Sequence, residues 1–416
     1  MILRDYQNEI SDQVVKLLNS HKIAYLSMQV RTGKTLTALE TARKYNAKNV
    51  LFITKKKAIS SIVDDYLNNY YDYFQMHVTN YESIHKLIDI SHDLIIIDEA
   101  HSLGQFPAPS KRTKDLKLIC NNKPIIYLSG TPSPESYSQL FHQFWISSFS
   151  PFGHSNFYQW AKSGYVTVKT KHLYNLTIPD YSQANKEMIN EKIQHLFLSY
   201  TQEQAGFEQI VNEQIHLVDM DEKTYKAAKK LRQDKVLIKQ DGNAIEGDTP
   251  VKLMNKLHQI YSGSVINDTD GSYTIFDESK ALFIFEKWTY NKKAIFYKFK
   301  AEREIIIKNA IKFGYNYTEV PDEFNNTDNN TIFISQIQSG REGINLSSAD
   351  ILIMYNIDFS AVSYWQARAR MQTKNRERPA EVHWIFSRDG IEQRIYNAVS
   401  NKKNYTLSYF KKEEKL

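Results

Sequence analysis

The chain of 416 residues has a single cysteine, Cys120, which excludes a disulfide framework and fits a reducing compartment. No apolar run is long enough to cross a membrane. The start, Met1-Ile2-Leu3-Arg4-Asp5, lacks the layout of a signal peptide. There is no clear short-period repeat and no low-complexity tract. These absences lead us to expect a soluble, cytoplasmic protein with no membrane partner. Neither sign of charge dominates: 53 Lys and Arg against 47 Asp and Glu leave a formal +6. A mild basic excess permits contact with nucleic acid, because lysine and arginine displace counterions from phosphates, but does not require it. Against these absences stand a 42% hydrophobic and a 13% aromatic share, enough for packed interiors. A chain of this length suits two domains.

The first third alternates short apolar strands with helical patterns. Lys22–Met28, Val50–Ile53, Leu94–Ile97 and Pro124–Leu128 read as strands, and Lys34–Tyr45 carries apolar residues at helical spacing. Such alternation predicts βαβ units around a buried parallel sheet. From about Ser147 the rhythm breaks into aromatic and polar residues, with helix-like stretches over Lys186–Tyr200 and Glu222–Lys239. Gln240–Asp248 and Asp322–Asn330 read as surface loops. The rhythm returns in Ala294–Tyr297, Glu302–Lys312, Thr331–Ile334, Ile351–Tyr355, Val382–Phe386 and Ile391–Asn401. The expectation is an α/β chain in three parts. Residues 1–150 form one lobe, 151–250 a largely helical insertion or linker, and 251–416 a second lobe.

Two strand ends carry chemistry. Met28-Gln29-Val30-Arg31-Thr32-Gly33-Lys34-Thr35 closes a strand and opens a helix, the context a Walker A loop requires. Backbone N–H groups at a helix N-terminus offer fixed dipoles to phosphates. Lys34 would reach the β- and γ-phosphates, and the Thr35 hydroxyl would ligate Mg²⁺. Met28 stands where the strict pattern has glycine. Gly-Lys-Thr alone also suits an ordinary strand-to-helix turn. The second strand end, Asp93-Leu94-Ile95-Ile96-Ile97-Asp98-Glu99-Ala100-His101, delivers two adjacent carboxylates where open α/β sheets bind ligands. Asp98 is placed to hold Mg²⁺, directly or through water, and Glu99 to orient and deprotonate an attacking water.

With these residues the chain resembles the superfamily 2 helicases, which are built on two RecA-like lobes, and further motifs follow in order. Leu3-Arg4-Asp5-Tyr6-Gln7 resembles the adenine-reading segment, which places Arg4 and Gln7 with Arg31, Thr32, Gly33, Lys34 and Thr35 among the ATP-binding residues. Leu51–Lys55 and Val78–Glu82 resemble two strand-binding elements, and Leu128-Ser129-Gly130-Thr131-Pro132 the motif coupling hydrolysis to movement. Gly343-Ile344-Asn345-Leu346 with Ala349-Asp350 is similar to the Swi/Snf-type branch, as are Asn80-Tyr81-Glu82 and Gly390–Ile395. Ser363–Gln372 resembles the final motif, with Arg370 at the position of the first arginine finger and Thr373 at that of the second.

The resemblance implies an ATP- and Mg²⁺-dependent enzyme whose lobes alternately grip DNA, single-stranded or duplex. Candidate contacts are Lys55, Lys56, Asn80, Ser339 and Arg341. Trp160 and Trp365 could stack on bases or lie in a core. A helicase, a duplex translocase that remodels complexes without unwinding, and a module that only switches with ATP all remain open. The compact length hints at a minimal, phage-like motor recruited by a partner protein.

Overall fold

The strand Leu94-Ile95-Ile96-Ile97 has no polar face because both of its faces are covered. The structure, a computed structural model, describes the chain apart from residues 1–2, 30, 88–90, 135, 174–175, 207–211, 239–242, 338–345, 347, 361–363, 365–380, 402–409 and 411–416; within 171–178 it describes backbone alone. The chain parts into two units, Met1–Gly206 and Phe207–Leu416.

The first unit is built on strands β1 (Ile23–Met28), β2 (Asn49–Thr54), β3 (Gln75–Asn80), β4 (Leu94–Asp98) and β5 (Ile125–Leu128), with a hairpin, β6 (Lys169–Leu173) and β7 (Leu176–Asp180), and β8 (Phe197–Tyr200). All but the hairpin form one parallel sheet in the order β3-β2-β4-β5-β1-β8. Alternate residues feed two cores. Ala24, Leu26, Phe52 and Ile96 pack beneath α1 (Asp5–His21), α2 (Lys34–Lys44) and α3 (Ile59–Asn69). Tyr25, Leu51, Ile95 and Ile97 pack beneath α4 (Lys111–Ile119), α5 (Gln139–Trp145), α6 (Phe157–Trp160) and α7 (Lys186–Ile193). The period-2 alternation of a strand therefore becomes two apolar faces.

The second unit repeats the plan. Its strands are β9 (Asn212–Val218), β10 (Val236–Ile238), β11 (Ala244–Glu246), β12 (Ser264–Ile266), β13 (Tyr273–Ile275), β14 (Lys293–Tyr297), β15 (Asn316–Thr318), β16 (Thr331–Gln336), β17 (Ile351–Met354) and β18 (Glu381–Ser387). Six of them make a parallel sheet, β15-β16-β14-β17-β18-β9, while β10–β11 and β12–β13 are antiparallel pairs. Helices α8 (Glu222–Asp234) and α9 (Pro250–Ile260) pack with Phe296, Leu352 and Trp384 on one face. Helices α10 (Ser279–Lys287) and α11 (Lys300–Lys312) pack with Ile295, Ile334 and Ile353 on the other. The closing helix Glu392–Ser400 is tied to α10 by a fully buried ion pair, Lys280 Nζ to Glu392 Oε1 at 2.6 Å. The expected α/β architecture of two parallel-sheet lobes is the one the chain adopts.

The stretch expected to be largely helical, 151–250, is divided between the units and, among the described residues, carries six strands beside its helices. The helix expected over Lys186–Tyr200 stops at Ile193, and Phe197–Tyr200 becomes the edge strand beside β1. Glu222–Lys239 is helical only to Asp234, and the loop at Gln240–Asp248 contains β11. The loop at Asp322–Asn330 begins inside a helical turn, α12 (Pro321–Asn325). The physical reason is common to these departures. Three- and four-residue elements are too short for either period to show, and β9 is an edge strand with only Val218 buried.

Candidate active site

Between Met28, which ends β1, and Lys34, which opens α2, the chain must reverse within five residues. Gly33 allows this with φ 82°, and Arg31 also takes a left-handed φ of 64°. Such angles are without steric cost only at glycine. Space makes the same demand, because a Cβ on Gly33 would collide with Gln7 Nε2. The turn is braced from α1. The buried Gln7 accepts from the Arg4 N–H through Oε1 at 2.9 Å and donates through Nε2 to the Gly33 carbonyl at 3.3 Å. Tyr6 donates to the Thr32 carbonyl at 2.9 Å, accepts from the exposed Arg4 guanidinium, and stacks on Tyr200 of β8. Thr32 Oγ1 donates to the Gln29 carbonyl at 2.7 Å. Gln7, expected to read adenine, thus has both ends of its amide engaged within the protein.

Sheet register brings the remaining groups to one edge. Leu26 lies level with Leu128, and Leu128 with Asp98, so the segments after β1, β4 and β5 emerge side by side. The Lys34 ammonium donates to the Met28 and Gln29 carbonyls at 2.9 and 3.2 Å, and its charge acts on both Asp98 and Glu99. Thr35, in the first turn of α2, is half-buried. First-turn amides have no acceptor within their own helix, so a phosphate is a fitting partner for them.

The two carboxylates sit in different surroundings. Asp98 Oδ2 accepts from Thr54 Oγ1 at 2.8 Å, and the Asp98 carbonyl accepts from the Tyr81 hydroxyl at 2.5 Å. Burial, and next the charge of Glu99, push the Asp98 carboxyl above its ordinary range. Glu99 has a left-handed φ of 51°. Burial alone would raise its carboxyl, but the contact with His101, with Lys34 and Lys55 behind it, holds it below the ordinary range. His101 Nδ1 lies 3.2 Å from Glu99 Oε2 and 3.0 Å from Ser129 Oγ, and Ser129 Oγ accepts from the Thr131 N–H at 3.1 Å. A chain of polar contacts therefore runs from Glu99 through His101 to the turn after β5. The pair is split: Glu99 is held ionised, while Asp98 is raised and gains from a nearby cation.

Among the described residues no three His, Cys, Asp or Glu side chains form a metal site by themselves. Asp98 and the Thr35 hydroxyl supply hard oxygen atoms of the kind Mg²⁺ takes when phosphates complete its shell. They fit that ion as co-ligands with a nucleotide.

The nucleic-acid candidates are unequal. Lys55 is half-buried beside Glu99, and Lys56 is exposed on the turn after β2. Asn80 Oδ1 accepts from the Glu82 and Ser83 N–H groups, both at 3.0 Å, so its carbonyl closes the turn after β3. Trp160 is wholly buried among Phe141, Phe152 and Tyr165; it is a core residue. Ser339, Arg341, Trp365, Arg370 and Thr373 lie outside the described residues. Thr54, Tyr81 and Tyr6 stand inside segments already singled out, yet no residue pattern marks their contacts with Asp98 and the phosphate turn.

The family described as the res subunit of type III restriction enzymes matches residues 1–86. An ATP-dependent helicase of Bacillus subtilis, YqhH, is 22% identical across 95% of this chain and 77% of its own length. The CHD3-type chromatin-remodeling factor CHR7 of Arabidopsis thaliana is 23% identical across 79% of this chain, which spans 28% of that factor. The SWI2/SNF2 ATPase core of Sulfolobus solfataricus, solved in complex with double-stranded DNA, aligns with a TM-score of 0.43 and 19% identity, covering 99% of this chain and 92% of that one. The chain is thus similar along most of its length to an ATP-dependent helicase and to a chromatin-remodeling factor, and over its first 86 residues to the res subunit of type III restriction enzymes.

Proposed function

We propose that the chain hydrolyses ATP and uses the cycle to move along DNA. The observation that carries this reading is the convergence of Lys34, Asp98, Glu99 and Ser129 on one edge of a single parallel sheet. Lys34 would neutralise the β- and γ-phosphates, with first-turn amides of α2 around them. Bound Mg²⁺, held by Asp98 and Thr35, would screen charge on the phosphates. Glu99, kept ionised by His101, would orient the attacking water and accept its proton. The contact from His101 to Ser129 gives the turn after β5 a direct link to that carboxylate. Lys55, Lys56, Ser339 and Arg341 are proposed to hold DNA phosphates, which suits a motor that must grip every sequence equally.

Arg370 is proposed, on its resemblance alone, to supply positive charge to the transferring phosphoryl group. Arg370→Ala is expected to slow hydrolysis far more than it weakens ATP binding. Measured by phosphate release beside nucleotide titration, a large loss of binding with unchanged turnover would refute the role.

A duplex translocase without strand separation is the second reading, favoured by the resemblance to a chromatin-remodeling factor. Strand displacement assayed beside triplex displacement separates the two. A translocase releases the third strand with ATP but leaves a forked duplex intact. A helicase opens the fork, and displacement of neither contradicts ATP-driven movement.

A further inference from the structure

The turn after β4 holds a non-glycine residue, Glu99, in a left-handed conformation (φ 51°). L-residues with side chains take such angles uncommonly, and they persist where surroundings enforce them. One enforcing contact is visible. The peptide entering Glu99 carries the Asp98 carbonyl, and that carbonyl accepts the Tyr81 hydroxyl at 2.5 Å. Tyr81 is 3% exposed, and burial raises its phenol well above the ordinary value, so the group stays a donor at any working pH. The guanidinium of the exposed Arg112 lies 5.7 Å from the centroid of its ring. Tyr81 also follows Asn80, whose side chain closes the turn after β3.

We infer that Tyr81 is a positioning residue for hydrolysis: by holding the Asp98 carbonyl it fixes the peptide plane from which Glu99 reaches the water. The same side chain joins the turn after β3 to the peptide that precedes Glu99. Tyr81 touches no reacting atom. Its effect falls on the aim of Glu99 and leaves the grip on nucleotide alone. A buried carbonyl stripped of its donor is free to rotate its peptide, and a misplacement of this kind acts on turnover first.

This rests on the hydrolytic role proposed for Glu99, so parent turnover reports that role and the variant-to-parent ratio reports the inference. Tyr81→Phe keeps the ring and removes only the donor. Assayed with saturating DNA well below both melting midpoints, it is expected to lower kcat about tenfold with the KM for ATP unchanged. An unchanged kcat, or a raised KM with kcat intact, overturns the inference. If Tyr81→Phe does not fold, Arg112→Ala, at an exposed position, decides. A lower kcat at constant KM supports the inference, and parent kinetics overturn it. A parent that hydrolyses no ATP would instead contradict the role of Glu99.

Discussion

Glu99→Gln is expected to reduce ATP turnover by about 10²–10⁴-fold, the usual worth of a positioned general base, with ATP affinity little changed. The reasoning starts from the turn after β4. Glu99 keeps its charge because the contact with His101, with Lys34 and Lys55, outweighs the effect of burial. Glutamine preserves the shape and the left-handed backbone but cannot take a proton. It also gives His101 Nδ1 a neutral neighbour where it now has a carboxylate at 3.2 Å. Lys34 and Thr35 are untouched, so nucleotide should still bind. Single-turnover phosphate release and ATP titration on the same protein provide the check. Equal turnover in variant and parent would remove Glu99 from the mechanism.

The largest stability effect is expected far from that site, in the second unit. Lys280 and Glu392 are both 0% exposed and meet at 2.6 Å, with Ser387 Oγ a further 3.1 Å partner of the carboxylate. Removing one member of a buried pair leaves the other charged and unsolvated, which costs about 3–5 kcal/mol. Lys280→Met should therefore lower the denaturant midpoint strongly, loosening the closing helix Glu392–Ser400 from α10. The double variant Lys280→Met/Glu392→Leu removes both charges and should recover much of the loss, because the penalty is mostly the stranded carboxylate. Additive losses in the double variant would show that packing, not charge, sets the effect.

How much of this was legible in the sequence depends on element length. Leu94–Ile97, Ile351–Tyr355 and Lys34–Tyr45 repeat their period long enough to be read, and the structure places β4, β17 and α2 there. The edge strands β8 and β9 were hidden, since a strand exposed along one side loses the continuous apolar run. Adjacency in sequence made the phosphate turn and the Asp98-Glu99 pair readable as motifs. What stayed out of reach were contacts between distant segments. The Tyr81 hydroxyl on the Asp98 carbonyl spans seventeen residues, and the bracing of Gly33 by Gln7 spans twenty-six. Gln7 shows the limit best. Its place in Leu3–Gln7 points to a contact with a base, while its bonds to Arg4 and Gly33, which use one lone pair and one N–H of the amide, are invisible in the sequence.

Lys34, Asp98 and Glu99 are proposed to form one hydrolytic site serving a DNA motor. Steady-state phosphate release by the parent chain with ATP and Mg²⁺, measured alone, with duplex DNA and with RNA, tests it most directly. The expected result is turnover that rises several-fold with DNA, less with RNA, and vanishes in Glu99→Gln. ATP binding without turnover under all three conditions, or turnover indifferent to DNA, would contradict it.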